Sequence, residues 1–404
     1  MPTLNTWLKL YCDDKNTKHT NKNIKNIKFL SSANVIEIEK PTIVVDKKTN
    51  AYGIFDKNKK IIYQSLQYRG KHHNFIPHKI PNDTPYIDEE AVYVGITYPH
   101  FGHFLIEQLN RLWGKADKKQ KLKWVFINNR NVDVKNFVYE FMNLFGIKKQ
   151  DIIILTSSTQ FKKIYIPSQT FNMSGACIDF AMIDGYRTIA KNVKGAGYKY
   201  VYMSRGKLPD KLRTLGEEKI QKIFEKNGYK IIYPETMTIA EQIASVKDAK
   251  YLAGCSGTAL HWALFMKPGG NVIALKRNSR PDDFIRTQYM LNTIAGQNSV
   301  FITAAIETHQ SGHGGSGAPQ IIGVNEWVKK FLYDFDFKFT KKDIEFDKKS
   351  MDTYLKKYEI YKSEHGGKIY RKFCSRLIKL AVCFIPGRIN RGNVRLWLKR
   401  KLHV

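Results

Sequence analysis

Between Tyr98 and Trp113 the chain reads Tyr-Pro-His-Phe-Gly-His-Phe-Leu-Ile-Glu-Gln-Leu-Asn-Arg-Leu-Trp, so His103, Glu107 and Arg111 recur at intervals of four. On a helix that interval stacks the three side chains on one face, while Leu105, Leu109 and Leu112 line another. Such a row offers general-base chemistry: Glu107 or His103 takes a proton from a hydroxyl and its neighbour tunes its pKa. Two plainer readings compete. Ladders of His, Glu and Arg are common on solvated helix surfaces, and His100, His103 and Glu107 could instead ligate a metal, although their spacing matches no recognised zinc pattern.

A second constellation lies at Tyr251 to Gly269, Tyr-Leu-Ala-Gly-Cys-Ser-Gly-Thr-Ala-Leu-His-Trp-Ala-Leu-Phe-Met-Lys-Pro-Gly. It predicts a short buried strand, a tight turn at Gly254, Ser256 and Gly257, and a helix opened by Thr258 that carries His261. Free N–H groups at such a helix start favour a phosphate, and a nucleotide diphosphate is the natural guest. The alternative is a small-residue turn that only lets a helix pack closely on a sheet. Upstream, Arg205 follows a predicted strand, where a planar guanidinium suits a diphosphate. Arg213 lies on the next loop, either near that ligand or in a surface pair with Glu217 that orders the loop.

The elements that would position these groups alternate along the chain. Residues 1–90 form a Lys- and Asn-rich opening region with β-like runs at 34–39, 42–46 and 60–66. Strands at 91–95, 123–128 and 151–156 then alternate with helices at 102–115 and 134–145. A β segment at 162–167 leads to a helix at 178–192, and Lys194 to Gly197 supplies a break. The second half repeats the pattern more clearly, with strands at 199–204, 230–233, 250–254 and 271–275 and helices at 216–226, 239–247 and 258–265. That is a Rossmann-like run, in which ligands bind at the carboxyl ends of the strands. The expected domains are 1–196, 197–330 and a helical extension, 331–404.

The chain has 404 residues with 43% hydrophobic content, enough for two ordinary cores. Its opening residues lack the basic-then-apolar pattern of a secretory signal, and no apolar run approaches the roughly 20 residues of a membrane span. Cys12, Cys177, Cys255, Cys374 and Cys383 are scattered, without a Cys-x-x-Cys pair, which fits a reducing compartment. Four read as small buried hydrophobes, and Cys255 sits inside the proposed turn. A formal charge of +31 draws polyanions and anionic surfaces, although most lysines belong to solvated faces. No nucleic-acid-binding module is discernible. Ser311 to Pro319 reads as a Gly-rich linker or a lid. From Lys368 the tail sets basic residues opposite Ile369, Phe373, Leu377, Leu380 and Phe384, a pattern that suits either an anionic membrane interface or packing on the domains.

Three segments together resemble glycosyltransferase family 61, which includes plant xylosyltransferases, animal protein O-GlcNAc transferases of the secretory pathway and many bacterial polysaccharide enzymes. They are residues 100–113, Ser204-Arg205 with Arg213 and Glu217-Glu218, and the stretch from Pro234-Glu235 through Glu241-Gln242 to Gly254–His261 and Phe265–Gly269. In the turn, similar members carry Gly-His-Gly or Gly-Ala-His-Gly-Ala where this chain has Gly-Cys-Ser-Gly-Thr. The resemblance implies an α/β, GT-B-like fold: two Rossmann-like domains facing a central cleft, here followed by the basic C-terminal helical tail. It implies inverting transfer from a nucleotide sugar without an essential metal or other cofactor. By position Glu107, assisted by His103, resembles the base. Arg205, Arg213, Glu235, Gln242, Gly254, Ser256, Gly257, Thr258 and His261 fall on the donor side, and His100 and Arg111 on the acceptor side. Without a signal the chain resembles bacterial members that build capsule or lipopolysaccharide on glycan or lipid-linked acceptors. The implied address is the cytoplasm, peripheral on the inner face of the membrane.

Overall fold

A computed structural model describes residues 6–114, 122–128, 133–208, 214–278, 283–306, 320–345 and 348–364, with isolated helical positions beyond. Two compact units separate, residues 1–312 with 320–346, and residues 313–319 with 347–404. In the second unit the helix Lys348–Glu364 is described, whereas the Ser311 to Pro319 segment and most of the basic tail lie outside the described residues. Among the described residues no helix is long and apolar enough to cross a membrane. The first unit holds both main sheets.

The second half of the chain, joined by one strand from the opening region, forms a wholly parallel sheet in the order Leu8–Tyr11, Asn298–Thr303, Asn271–Lys276, Tyr251–Cys255, Tyr200–Met203, Lys230–Ile232. Its strands are apolar on both faces because both are covered. Val201, Met203, Leu252, Val272, Ala274 and Phe301 point into one core. The alternate residues Tyr202, Ala253, Ile273, Leu275, Val300 and Ile302 point into another. Covering helices start where the sequence supplies caps. Thr238 and Glu241 form a reciprocal capping box on Ile239–Lys247, and Asn325 accepts from Val328 N at the head of Glu326–Asp334.

The first sheet is mixed. Ile152–Leu155, Lys123–Ile127, Tyr86–Ile96 and Thr159–Pro167 run parallel, then Thr42–Asp46, Ala51–Phe55 and Val35–Glu39 add antiparallel. The Rossmann expectation therefore fits the second sheet better than the first, because the opening region closes the first with hairpin-type pairing. The mixed α/β architecture remains consistent with a GT-B-like fold. The opening region also differs from its expectation. Its first strand joins the other sheet, and Asp13 caps a helix, Asp14–Lys25, where no helix is expected. Residues 60–66 form a short 3₁₀ turn, Tyr63–Ser65, in place of a strand.

The two sheets share one apolar core, which runs from Ile43 and Tyr52 to Leu264 and Phe301. At their junction Phe101, Phe137 and Phe141 meet Trp262, Phe265 and Tyr186 through ring contacts of 5.4 to 6.2 Å. A junction this apolar holds the halves together as one body.

Candidate functional site

The expected helix at 102–115 breaks into three short pieces, α-helical at Phe101–His103, π-helical at Phe104–Gln108 and 3₁₀ at Leu109–Arg111. Wide and tight turns in succession destroy the single face that an interval of four implies. His103 and Glu107 remain together: His103 Nδ1 bonds Glu107 Oε2. Arg111 swings into the core, 1% exposed, where it donates to the carbonyls of Pro167 and Leu66 and lies over the Tyr93 ring. Its acceptor-side assignment is thereby corrected. Arg111 is a buried tie between the first sheet and the turn that precedes residue 67.

Arg69, from the opening region, takes the place expected for Arg111. Its Nε donates to Glu107 Oε1 at 2.9 Å and its Nη2 to Oε2 at 2.7 Å. Glu107 is thus only 2% exposed yet charged. Burial alone would raise its pKa, but the His103 hydrogen bond and the Arg69 charge outweigh burial and hold it below the usual carboxylate value. A charged Glu107 accepts, so the proton between the two sits on His103 Nδ1, and in the neutral ring Nε2 is the acceptor. His103 is 40% exposed and is the member of the pair that solvent can reach. His100 is exposed, its ring 5.2 Å from that of His103.

The second constellation also shifts in detail. The strand extends to Cys255, so Gly254 belongs to it, and a Cβ there would lie 2.7 Å from Met203 O. Gly254 serves strand-to-strand approach, and the turn proper is Ser256-Gly257. Gly257 has φ 157° and ψ 179°, a combination open essentially to glycine. The helix beyond it, Thr258–Phe265, is 3₁₀ where an α-helix is expected, and it is buried on nearly every side.

Two guanidinium groups reach Gly257. A Cβ built on it would lie 3.4 Å from Arg205 Nη1 and 3.9 Å from Arg277 Nη2. Arg277 is tied to the turn by Nε donating to Ser256 O at 2.8 Å and by its own N–H donating to Ser256 Oγ at 3.4 Å. Glu217 supports Arg205 from below, accepting from its backbone N–H and from Tyr202 Oη. At 2% exposure Glu217 is no surface residue, and desolvation raises its pKa against the pull of the Arg205 N–H, the Cys255 thiol and the Arg205 charge. Burial likewise pushes the Cys255 thiol far up, so it stays protonated. Arg213 lies outside the described residues.

His261 is buried, and its Nδ1 donates to Gln288 Oε1 at 2.8 Å. The tautomer follows from Gln288, whose Nε2 donates to Leu260 O and Asn292 Oδ1 and so turns Oε1 toward the ring. Desolvation lowers the His261 pKa to about 4 against the opposing pull of the Gln288 hydrogen bond, so the ring is neutral. Gln242 is corrected: its buried amide donates to Pro234 O and Met237 O and shapes the turn that carries Glu235. Glu235 is exposed on that turn, beyond the Lys230–Ile232 strand.

The two constellations meet at one contact. A Cβ on Gly102 would lie 2.6 Å from Thr258 Oγ1 and 3.4 Å from the His100 ring. Thr258 therefore sits on Gly102, one residue from His103. Arg69 and Arg277 are the groups that sequence reasoning missed. Arg277 follows a strand end just as Arg205 does, a signal present in the sequence, whereas nothing local ties Arg69 to Glu107. Among the described residues no three His, Cys, Asp or Glu side chains are grouped to hold a metal, and both Glu107 oxygens are engaged by Arg69 and His103.

No curated protein matches the chain. Residues 101–273, which run from the His103–Glu107 segment through the Gly257 turn, match the family model for Glycosyltransferase 61, and that match supports sugar transfer as the general function.

Proposed function

We propose that the chain is an inverting glycosyltransferase that moves a sugar from a nucleotide diphosphate donor to a glycan hydroxyl without a metal. The contact of Gly102 with Thr258 carries this reading, because it sets a proton acceptor beside a turn flanked by two guanidinium groups. His103 is the base, reversing the role expected for Glu107. Its Nε2 takes the proton of the acceptor hydroxyl, and Glu107 orients the ring and stabilises the imidazolium that forms. The hydroxyl oxygen attacks the anomeric carbon as the bond to the diphosphate oxygen breaks on the opposite face, which inverts the centre. Arg205, Arg277 and the N–H groups of Gly257 and Thr258 take up the negative charge that grows on the leaving diphosphate. Neutral His261 and Thr258 border the sugar. Glu235 lies toward the nucleoside, and His100 toward the acceptor.

The wider setting is a proposal of the same kind. The product is a surface polysaccharide, capsule or lipopolysaccharide, built on a glycan or lipid-linked glycan in the cytoplasm, with the basic tail holding the enzyme to the anionic inner face of the membrane. Nucleic acid is not a partner.

A thermal-shift panel of nucleotide sugars and nucleoside diphosphates tests the donor side, because a ligand that binds only the folded chain raises its Tm. Arg205→Gln should abolish the rise. His103→Ala should retain it while losing about 10²–10⁴-fold in kcat, the range of general-base contributions. Full turnover by His103→Ala would overturn the assignment of the base.

A further inference from the structure

Arg69 does not stand alone. It belongs to a hairpin of Tyr68–Arg69 with His72–His73, paired Tyr68 to His73 and Arg69 to His72. Gly70, at φ 67°, is the first residue of its two-residue turn, a position that favours glycine. The hairpin is fastened rather than loose. Gln169 accepts from Tyr68 N and donates to Tyr68 O, and Asn172 accepts from Gly70 N and donates to Gly70 O, all at 2.7 to 2.9 Å. Two amide side chains thus stand in for a neighbouring strand. Residues paired directly across two strands share a face with Cβ atoms about 5 Å apart. His72 therefore lies on the face from which Arg69 reaches Glu107.

Two features mark this face as a binding surface for acid. Arg69 is 46% exposed; its Nε and Nη2 hold Glu107, while Nη1 makes no hydrogen bond among the described residues. A guanidinium fork already aligned on one carboxylate thus offers a further edge beside the base. Along the chain on either side of it the charge is one-sided. Between Asp56 and Asp83 the chain has Lys57, Lys59, Lys60, Arg69, Lys71 and Lys79 and no acidic residue. Lys71, His72 and His73 are exposed at the hairpin's end. A bound acidic group would be drawn there and fixed in direction by the planar fork.

We propose that this hairpin recognises an acidic group, carboxylate or phosphate, on the acceptor glycan, held by Arg69 Nη1 and His72 close to the hydroxyl that receives the sugar. The proposal rests on the reading of His103 as the base. It narrows the acceptor to glycans whose acid and reacting hydroxyl lie on the same or adjoining sugars, because Arg69 and His103 bind the same Glu107 carboxylate.

The test uses the full chain and two probe pairs. One pair is oligogalacturonate and its methyl ester, and the other is a glucose 6-phosphate oligosaccharide and its unphosphorylated form, each titrated by calorimetry. At least one acidic probe should bind tenfold or more tighter than its neutral counterpart, and the arm that responds tells carboxylate from phosphate. His72→Gln and Lys71→Gln, at exposed positions that do not threaten folding, should each shrink that preference at least threefold. Arg69→Gln should erase it, while the thermal shift given by nucleoside diphosphates persists. Equal binding of acidic and neutral probes, no binding of either acid, or a preference untouched by all three substitutions overturns the proposal. If the acid preference follows the hairpin but His103→Ala still transfers sugar at full rate, the hairpin stands as an acid-binding surface and the base assignment fails.

Discussion

Gly102→Ala probes the one contact on which the functional reading depends. The added methyl would lie 2.6 Å from Thr258 Oγ1, about 0.8 Å inside ordinary van der Waals separation, and 3.4 Å from Thr258 Cγ2. Relief comes only if Thr258 leaves its rotamer or the Phe101–His103 backbone retreats by a comparable distance, and either movement displaces the base relative to the turn. A misplacement near 1 Å costs about 100-fold in rate, so kcat/KM should fall roughly 10- to 100-fold, or about 1.4–2.8 kcal/mol. Overpacking should also lower stability by about 1–3 kcal/mol. The assay is transfer from the donor that gives the largest thermal shift, measured for Gly102→Ala, Thr258→Ala and the double variant. Thr258→Ala removes both crowding atoms, so the double variant should be at least tenfold more active than simple addition of the two losses allows. Additivity within about 0.5 kcal/mol, the tolerance expected of independent sites, would refute the contact's role.

Other outcomes follow from neighbouring groups. His261 takes its proton near pH 4 when folded and near 6.5 when unfolded, so only the unfolded chain gains a proton between those values and stability falls as pH drops through that window. The full loss is roughly 3 kcal/mol, and His261→Asn should remove it in urea melts compared at pH 7 and pH 4. Arg111→Met leaves two buried carbonyls without their donor, at about 1–3 kcal/mol each. It should lower the urea midpoint while the folded fraction keeps its kcat, whereas an acceptor-site role would raise the acceptor KM. Arg277→Gln removes a charge-assisted contact of about 1.5–3 kcal/mol, so the donor KM should rise roughly 10- to 150-fold.

Much of the second sheet is legible in the sequence because its strands are continuous apolar runs between capped helices. The helix expected at 239–247 appears at Ile239–Lys247, bounded by the Thr238 and Glu241 capping box. The first strand and helix are not legible. Leu8–Tyr11 is too short to signal anything until its partner is known, and Asp14–Lys25 has no apolar stripe, since its buried residues are Asn16 and Thr20. The His103–Glu107 pair is visible as an interval of four, but the same interval misplaces Arg111, because the backbone there changes pitch twice. Arg69 is hidden for a different reason. It reaches Glu107 across 38 residues, on a hairpin whose register is held by Gln169 and Asn172, side chains about 100 positions away.

The pairing of Leu8 with Ser299 has a consequence for how the protein is made. At about 5–20 residues per second, a ribosome needs roughly 15–60 seconds to synthesise the 291 positions that separate the two strands. Throughout that interval the nascent amino-terminal strand has no mate, and the lysines just behind it, Lys15, Lys18, Lys22 and Lys25, keep it from sticking to other chains. When Asn298–Thr303 emerges, its apolar margin of Val300, Phe301 and Ile302 is sealed by a strand made long before it. Vectorial synthesis thus leaves this β-edge open until both strands have emerged.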